Sequence, residues 1–97
     1  MQFTVIARDD TAPGTLDRRM AHRPEHLEGL FAGKKDGSII DGGAIIGEDG
    51  NMAGSVMLYE AEDRAALDAL LAAEVFYREK VWKDIEIIPI RRVPWPE

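Results

Sequence analysis

Hydrophobic and polar residues alternate in several short stretches of the chain, and this alternation predicts β-strands. Between residues 2 and 8, Phe3, Val5 and Ala7 occupy every second position, as in a strand with one buried face. Glu48-Asp49-Gly50 separates two further β-rich runs and is typical of an antiparallel hairpin. With a last isoleucine-rich run, the predicted strands cover residues 2–8, 38–47, 51–60 and 84–92.

Two segments between these strands have the spacing of amphipathic helices. Thr15 can cap a short helix over residues 15–22. Pro24 then suits either the first position of a second helix or a kink in one longer helix that extends to residue 35. The predicted core-facing positions of this segment are Leu27, Leu30 and Phe31. A further helix is predicted over residues 61–73, with acidic residues in its first turn and a stripe formed by Leu67, Leu70 and Leu71.

The resulting order, βαββαβ, predicts an α+β ferredoxin-like domain in which two helices cover one face of a four-stranded antiparallel sheet. The strands are nevertheless apolar on both faces, because neighbours such as Ile87 and Ile88 must point in opposite directions. The uncovered face therefore predicts a homodimer that pairs through its sheets. The alternative is that the isoleucine pairs mark β-bulges, or that the tail with Trp95 covers this face.

Composition narrows the classes of function. A chain of 97 residues suits a single domain over residues 1–97, and its limited core favours oligomerisation. The formal charge of −6 argues against a nucleic-acid partner, and the absence of cysteine excludes disulfides, thiolate nucleophiles and cysteine-ligated metals. The N-terminal segment lacks the pattern of a secretory signal, and no stretch has membrane-spanning length, so we expect a cytoplasmic protein without a membrane partner.

His26 is the leading candidate for acid/base chemistry, since histidine exchanges protons near neutral pH. If Pro24 opens a helix, His26 lies in its first turn, where the helix dipole favours the neutral imidazole. The alternative is a histidine at the edge of the core whose nitrogens are satisfied by backbone or water. His22 lies four residues earlier, a spacing used by metal ligands, but Pro24 disturbs the helix and no H-E-x-x-H pattern is present, so no metal is predicted.

Charged residues near His26 in the sequence suggest a small anionic ligand. Arg19 and Arg23 are candidate anchors because a guanidinium binds a carboxylate at two points, although a solvated helix face paired with acidic neighbours is the alternative. Glu74 follows the leucine stripe of the third predicted helical segment and is a candidate general acid or orienting carboxylate. It could equally lie in water beyond the helix end. Ser55 follows a strand glycine that would allow a ligand to approach the sheet.

Several of these segments together resemble the YciI-like, or YCII-related, family, whose fold is a ferredoxin-like dimeric α/β-barrel. The resemblance spans nearly the whole chain, and its most specific element is Arg23-Pro24-Glu25-His26-Leu27. The other elements, in order, are Asp10 after the first strand, Gly42-Gly43, Gly54-Ser55-Val56 and Ile85-Glu86-Ile87-Ile88-Pro89-Ile90.

The resemblance implies a small-molecule enzyme, because members of the family place a histidine and an acidic residue together in a pocket. The family is also distantly similar to chloromuconolactone dehalogenases and muconolactone isomerases. By this resemblance, His26 takes the place of the histidine. The usual Asp-Pro-Phe/Tyr segment is here Glu74-Val75-Phe76, whose extra methylene displaces the carboxylate, so Asp10 is the alternative acidic partner.

The combined prediction is a cofactor-free enzyme of isomerase or lyase type, dehalogenase-like, that acts on a small carboxylated or lactone-like compound. His26 would accept a proton, with Glu74 or Asp10 orienting its ring. Arg19, Arg23 and Ser55 would bind the substrate between the first helix and the sheet. The alternatives are a module that binds a small metabolite without catalysis, and a module that serves only oligomerisation.

Overall fold

A computed structural model describes residues 1–96, so the final residue of the predicted tail, Glu97, lies outside the described part. Residues 1–96 form four strands and three helices. In chain order they are β1 (Gln2–Asp9), α1 (Thr15–Asp36), β2 (Ile39–Ile46), β3 (Met52–Glu60), α2 (Arg64–Ala73), α3 (Val75–Arg78) and β4 (Trp82–Ile90).

The four strands form one antiparallel sheet in the order β2-β3-β1-β4. Val5 in the central strand lies opposite Met57 on one side and Ile87 on the other. This is the predicted ferredoxin-like arrangement, and the fold class is confirmed.

The core lies between the sheet and the helices. The alternating residues of β1 supply Phe3, Val5 and Ala7, all buried, and α2 supplies Leu67 and Leu71. Burial of side chains of this size contributes roughly 1.5–3 kcal/mol each before the entropy of ordering is subtracted. The remaining buried hydrophobic residues are Met57, Tyr59, Ala61, Val75, Phe76, Val81 and Trp82.

Helix α1 is continuous through Pro24, so the alternative of two separate helices is wrong. It starts after Gly14, which has φ 88° and provides no side-chain cap. The hydroxyl of Thr15 instead donates to the carbonyl of Ala12 at 2.9 Å, so the predicted capping role of Thr15 is not observed. At the other end, Gly37 adopts the left-handed conformation (φ 88°) and its N–H donates to the Gly33 carbonyl, a common way to end a helix.

The buried side of α1 is polar, which differs from the prediction. Arg19, His26 and Gly33 are buried at intervals of seven residues, close to two helical turns. Phe31, predicted to face the core, is 67% exposed, whereas Leu30 packs partly against the core. The apolar stripe therefore lies to one side of the surface that contacts the sheet, because the buried arginine and histidine have polar partners of their own.

The segment after β3 also differs in detail from the prediction. Helix α2 begins at Arg64 rather than at residue 61, because Asp63 is its N-cap and accepts a hydrogen bond from the Ala66 amide at 2.8 Å. Its first turn therefore contains no acidic residue. Helix α2 ends before Glu74, and the short helix α3, which was not predicted, follows. Strand β4 begins at Trp82 and ends at Ile90, two residues earlier at both ends than expected.

Within the described part of the chain, no helix covers the second face of the sheet. Val56 is 40% exposed there, and Ile88 and Ile90 are 38% and 36% exposed. The strand register shifts at two of the isoleucine pairs, between Ile39 and Asp41 and between Ile45 and Ile46, as the bulge alternative predicted. The tail does not cover the face, since Trp95 is 77% exposed.

Among the helices of residues 1–96, none is long and apolar enough to cross a membrane.

Candidate active site

His26 and Glu74 form a buried pair. Nδ1 of His26 lies 2.6 Å from Oε1 of Glu74, and their side chains are only 7% and 8% exposed. Glu74 lies at the break between α2 and α3, where the same Oε1 also accepts the amide of Phe76 at 3.2 Å. This cap at the N-terminus of α3 holds the longer glutamate side chain where it reaches the histidine. The extra methylene therefore does not prevent the contact.

Two aromatic rings fix the orientation of His26. The ring of Phe76 stacks on the imidazole with centroids 4.0 Å apart and an interplanar angle of 17°. The Trp82 ring meets the imidazole edge-on at 6.3 Å. Both rings are buried. The imidazole is thus held on one face by packing and at Nδ1 by a carboxylate, while Nε2 makes no hydrogen bond with the described residues.

A second buried ion pair lies along the same side of α1. Arg19 Nη1 contacts both carboxylate oxygens of Asp9 at 2.9 and 3.0 Å, and the two side chains are 3% and 7% exposed. Nη2 donates to the Gly54 carbonyl at 3.0 Å and to the Ser55 hydroxyl at 3.2 Å. The guanidinium carbon also lies 4.6 Å from the centroid of the Phe76 ring, within cation–π range. These contacts engage both terminal nitrogens of Arg19.

Two titratable groups near the site have shifted pKa values. Burial raises the pKa of Asp9 above its ordinary value, although the charges of Arg19 and His26 act in the opposite direction. Burial also raises the pKa of Tyr59, and the negative charge of Glu74 raises it further. Tyr59 therefore stays protonated and uncharged across the physiological range.

A cavity of about 270 Å³ opens between α1 and β2, next to His26. The helix and the strand are in contact near Gly33 and Ile39, where a Cβ added to the glycine would lie 2.5 Å from Ile39 Cδ1. Further along β2, the exposed residues Gly42, Gly43 and Ala44 leave room for the cavity. Its lining is Arg19, Arg23, His26, Leu27, Leu30, Phe31, Gly42, Gly43, Ala44, Met52, Ser55 and Met57.

The family of the chain follows from its match to a known family model. The family model of the YCII-related domain matches residues 1–91. The chain belongs to the YCII-related domain family. The predicted resemblance is thereby confirmed, and the fold of the family agrees with the sheet order and helix placement described above.

Solved structures share the fold of this YCII-related domain. The 5-chloro-2-hydroxyhydroquinone dehydrochlorinase of Burkholderia phenoliruptrix, in complex with 2,5-dihydroxybenzoquinone, has a TM-score of 0.82 at 23% identity over 96% of both chains. Rv0793 from Mycobacterium tuberculosis has a TM-score of 0.62 at 18% identity, over 98% of this chain and 100% of its own. A protein from Agrobacterium tumefaciens reaches 0.55 at 10% identity, over 98% and 96%. No curated protein matches the sequence.

The candidate site of this YCII-related domain includes most, though not all, of the residues that the sequence singled out. His26, Arg19, Arg23 and Ser55 line one cavity, and Glu74 contacts His26. Asp10 does not join them. Its carboxylate accepts the Ala12 amide at 3.0 Å within the β1–α1 turn, and its own amide donates to the Val81 carbonyl.

The dipole argument for a neutral His26 is wrong. It required a helix that starts at Pro24, whereas α1 starts at Thr15 and places His26 in the helix interior. The effect of a helix dipole is confined to the terminal turns. Within the described part of the chain, no cluster of three or more histidine, cysteine, aspartate or glutamate side chains is arranged to hold a metal ion.

Two residues that contact the site, Asp9 and Phe76, were not among the predicted site residues. The predicted first strand stops at residue 8, but Asp9 continues the alternation of Phe3, Val5 and Ala7 and so belongs to the covered face of the sheet. That period-two pattern was a usable indication. Phe76 stands at the Phe/Tyr position of the family segment, but its contacts with Arg19 and His26 depend on the short helix α3 and leave no local pattern.

Proposed function

We propose that this YCII-related domain is a cofactor-free enzyme of isomerase or lyase type that transfers a proton through His26 on a small anionic substrate. The observation on which this rests is the 2.6 Å contact between His26 Nδ1 and Glu74 Oε1 beside a cavity of about 270 Å³. A histidine held by a carboxylate at one nitrogen is a recurrent acid/base arrangement.

The carboxylate of Glu74 would select the imidazole tautomer. With the proton on Nδ1 and shared with Glu74, Nε2 keeps a lone pair and can accept a proton from substrate carbon. The electron pair of the broken C–H bond then moves into the substrate. Return of the proton from Nε2 to another carbon completes an isomerisation, whereas departure of a leaving group with its electron pair completes an elimination.

Arg23 is the proposed anchor for the negative charge of the substrate. It lines the cavity and is half-buried, and none of the ion pairs among residues 1–96 involves it. Its guanidinium can therefore bind a carboxylate or enolate by a charge-assisted hydrogen bond. Arg19 is less suited to bind substrate, because Asp9, Gly54 and Ser55 already occupy most of its donors. In this proposal Arg19 and Ser55 form a rigid part of the cavity wall.

The dehydrochlorinase neighbour suggests the elimination branch. By its name it acts on a chlorinated hydroxyhydroquinone, and its structure holds a dihydroxybenzoquinone. A small, acidic, oxygen-rich ring of this kind suits a cavity with two arginines, one histidine and otherwise largely apolar walls. We therefore extend the proposed substrate class from carboxylates and lactones to acidic hydroxyquinones.

We also propose that the functional unit is a homodimer formed through the uncovered sheet face. Val56, Ile88 and Ile90 remain partly exposed there, and each would contribute roughly 25 cal/mol per Å² of apolar surface buried. The cavity lies on the helix-covered side, so such a dimer would leave it open. Sedimentation velocity at micromolar concentration should report a dimer, and a stable monomer would refute this assignment.

The test of the proposed reaction is exchange of a carbon-bound proton in D₂O. The protein is incubated with a panel of small carboxylates bearing an acidic C–H and with 2,5-dihydroxybenzoquinone, while proton NMR follows both binding and loss of C–H signals. We expect at least one compound to bind and to exchange. His26→Asn should retain binding but abolish exchange, and Glu74→Gln should slow exchange by about 10²–10⁴-fold if the pair acts as general base.

Matched variants separate the roles. Arg23→Gln should weaken binding, whereas Arg8→Gln, which removes the same charge from an exposed position on β1, should not. Binding without exchange in the unaltered protein would favour a non-catalytic metabolite-binding module. Absence of binding across the whole panel would refute the proposal.

A further inference from the structure

We infer that Phe31 is a specificity-determining residue that selects planar, single-ring anions by stacking on them. The inference rests on the proposed function and adds the shape of the substrate to it. Phe31 is 67% exposed, yet it lies at the cavity beside Leu27 and Leu30 rather than on an isolated part of the surface.

The cavity has one wall from α1 and one from the sheet. On the α1 side the wall consists of side chains, with an aromatic ring at Phe31. On the sheet side it includes the side chain of Met57, whose Sδ lies 2.4 Å from the position that a Cβ of Gly42 would take. A flat ring presents a whole face to an exposed aromatic side chain, which a puckered ring of the same composition does not.

The depth of this space depends on Gly42. A Cβ at this position would lie 2.4 Å from Sδ and 2.6 Å from Cε of Met57, which also lines the cavity. Any side chain at Gly42 would therefore push the methionine from its place. The cavity of about 270 Å³ falls just below the range of about 300–1,000 Å³ that holds drug-sized ligands, which favours a single ring over a larger compound.

The proposed homodimer does not account for the exposure of Phe31. The residue belongs to α1, which packs on the covered face of the sheet, whereas the dimer would use the opposite face. Phe31 also makes no aromatic pair with another ring of the described residues. A bound ring would therefore supply the contact that the isolated chain lacks.

The experiment compares benzoate with cyclohexanecarboxylate, which share a carboxylate and a six-membered ring but differ in planarity. Dissociation constants for both are measured by NMR titration with the full chain. We expect tighter binding of benzoate. Phe31→Leu should weaken benzoate by about 2- to 10-fold, the size of an aromatic pair contact, and change cyclohexanecarboxylate by less than about twofold.

Two controls accompany this comparison. Tyr77→Leu removes another exposed aromatic ring, which does not line the cavity, and should leave both constants unchanged. Gly42→Ala should weaken both acids through displacement of Met57, whereas Gly29→Ala, whose added Cβ meets no atom within 4 Å, should affect neither. Unfolding curves of each variant confirm that the fold is retained.

The outcomes separate the two proposals. If both acids bind but their ratio is the same in the unaltered protein and in Phe31→Leu, the role of Phe31 is refuted while the anion site stands. If neither acid binds at millimolar concentration, the anion site itself is refuted and the role of Phe31 with it.

Discussion

Replacement of Arg19 by methionine tests whether the buried ion pair with Asp9 holds the site together. Methionine retains much of the side-chain volume but removes the two contacts with the Asp9 carboxylate and the donors to Gly54 and Ser55. The carboxylate of Asp9, with its side chain 7% exposed, would then be buried without a cation. Loss of one partner from a buried pair costs about 3–5 kcal/mol, a large part of the 5–15 kcal/mol typical of a domain.

The Asp9 carboxylate should be the main source of this cost. Burial already raises its pKa, so a neutral side chain at this position is tolerated better than an unpaired charge. We therefore expect the double variant Arg19→Met/Asp9→Asn to recover about 2–3 kcal/mol relative to Arg19→Met alone, a coupling within the range of residues in direct contact.

Urea unfolding at pH 7, followed by circular dichroism, provides the free energies. Protein concentration is kept constant across variants, because a dimer would make the apparent stability depend on it. The reasoning fails if the double variant is no more stable than Arg19→Met. In that case the hydrogen bonds to Gly54 and Ser55, rather than the charge of Asp9, would dominate the loss.

Three further changes test other parts of the structure. Gly54→Ala should destabilise by about 1–3 kcal/mol in urea unfolding, because the added Cβ would lie 2.4 Å from the backbone oxygen of Ala7 and the paired strands must separate; an unchanged midpoint would contradict this contact. Asp63→Ala should lower the free energy of unfolding by about 1 kcal/mol, because the N-cap bond to Ala66 is lost. The neutral control is Ala65→Ser, and equal effects of the two substitutions would contradict the cap. Because the pKa of Asp9 is raised on folding, its favourable contribution is complete below its ordinary value of 3.8 and is lost as pH rises through the raised pKa. The stability of the unaltered protein relative to Asp9→Asn should therefore fall as pH rises above about 4, and a rise would show that the direction is wrong.

The sheet was the most predictable part of the fold. Alternation in β1 and the turn at residues 48–50 specify strands and a hairpin through local chemistry alone, and both appear in the structure. Pro24 was harder to interpret, because a proline fits both a helix start and a kink. In the continuous helix, Arg19 and His26 lie on either side of Pro24, and both make tertiary contacts.

The orientation of α1 was the least predictable feature. Hydrophobic periodicity assigns the inward side to Leu27 and Phe31, on the assumption that apolar residues are buried first. The structure instead buries Arg19 and His26, each of which is satisfied by an acidic residue distant in sequence. Because these acidic partners lie 10 and 48 residues away, they leave no periodic pattern in the sequence of α1. A helix with a polar inner side therefore cannot be recognised from its own sequence.

The single oxygen Oε1 of Glu74 links the beginning of α3 to the imidazole of His26. A change in the charge of that carboxylate would weaken both contacts. The four-residue helix α3 would then fray at its start while His26 loses its partner, as a single local event. The amide of Phe76 thus offers a built-in probe: Glu74→Gln should raise its hydrogen-exchange rate, which can be followed without any label near the histidine.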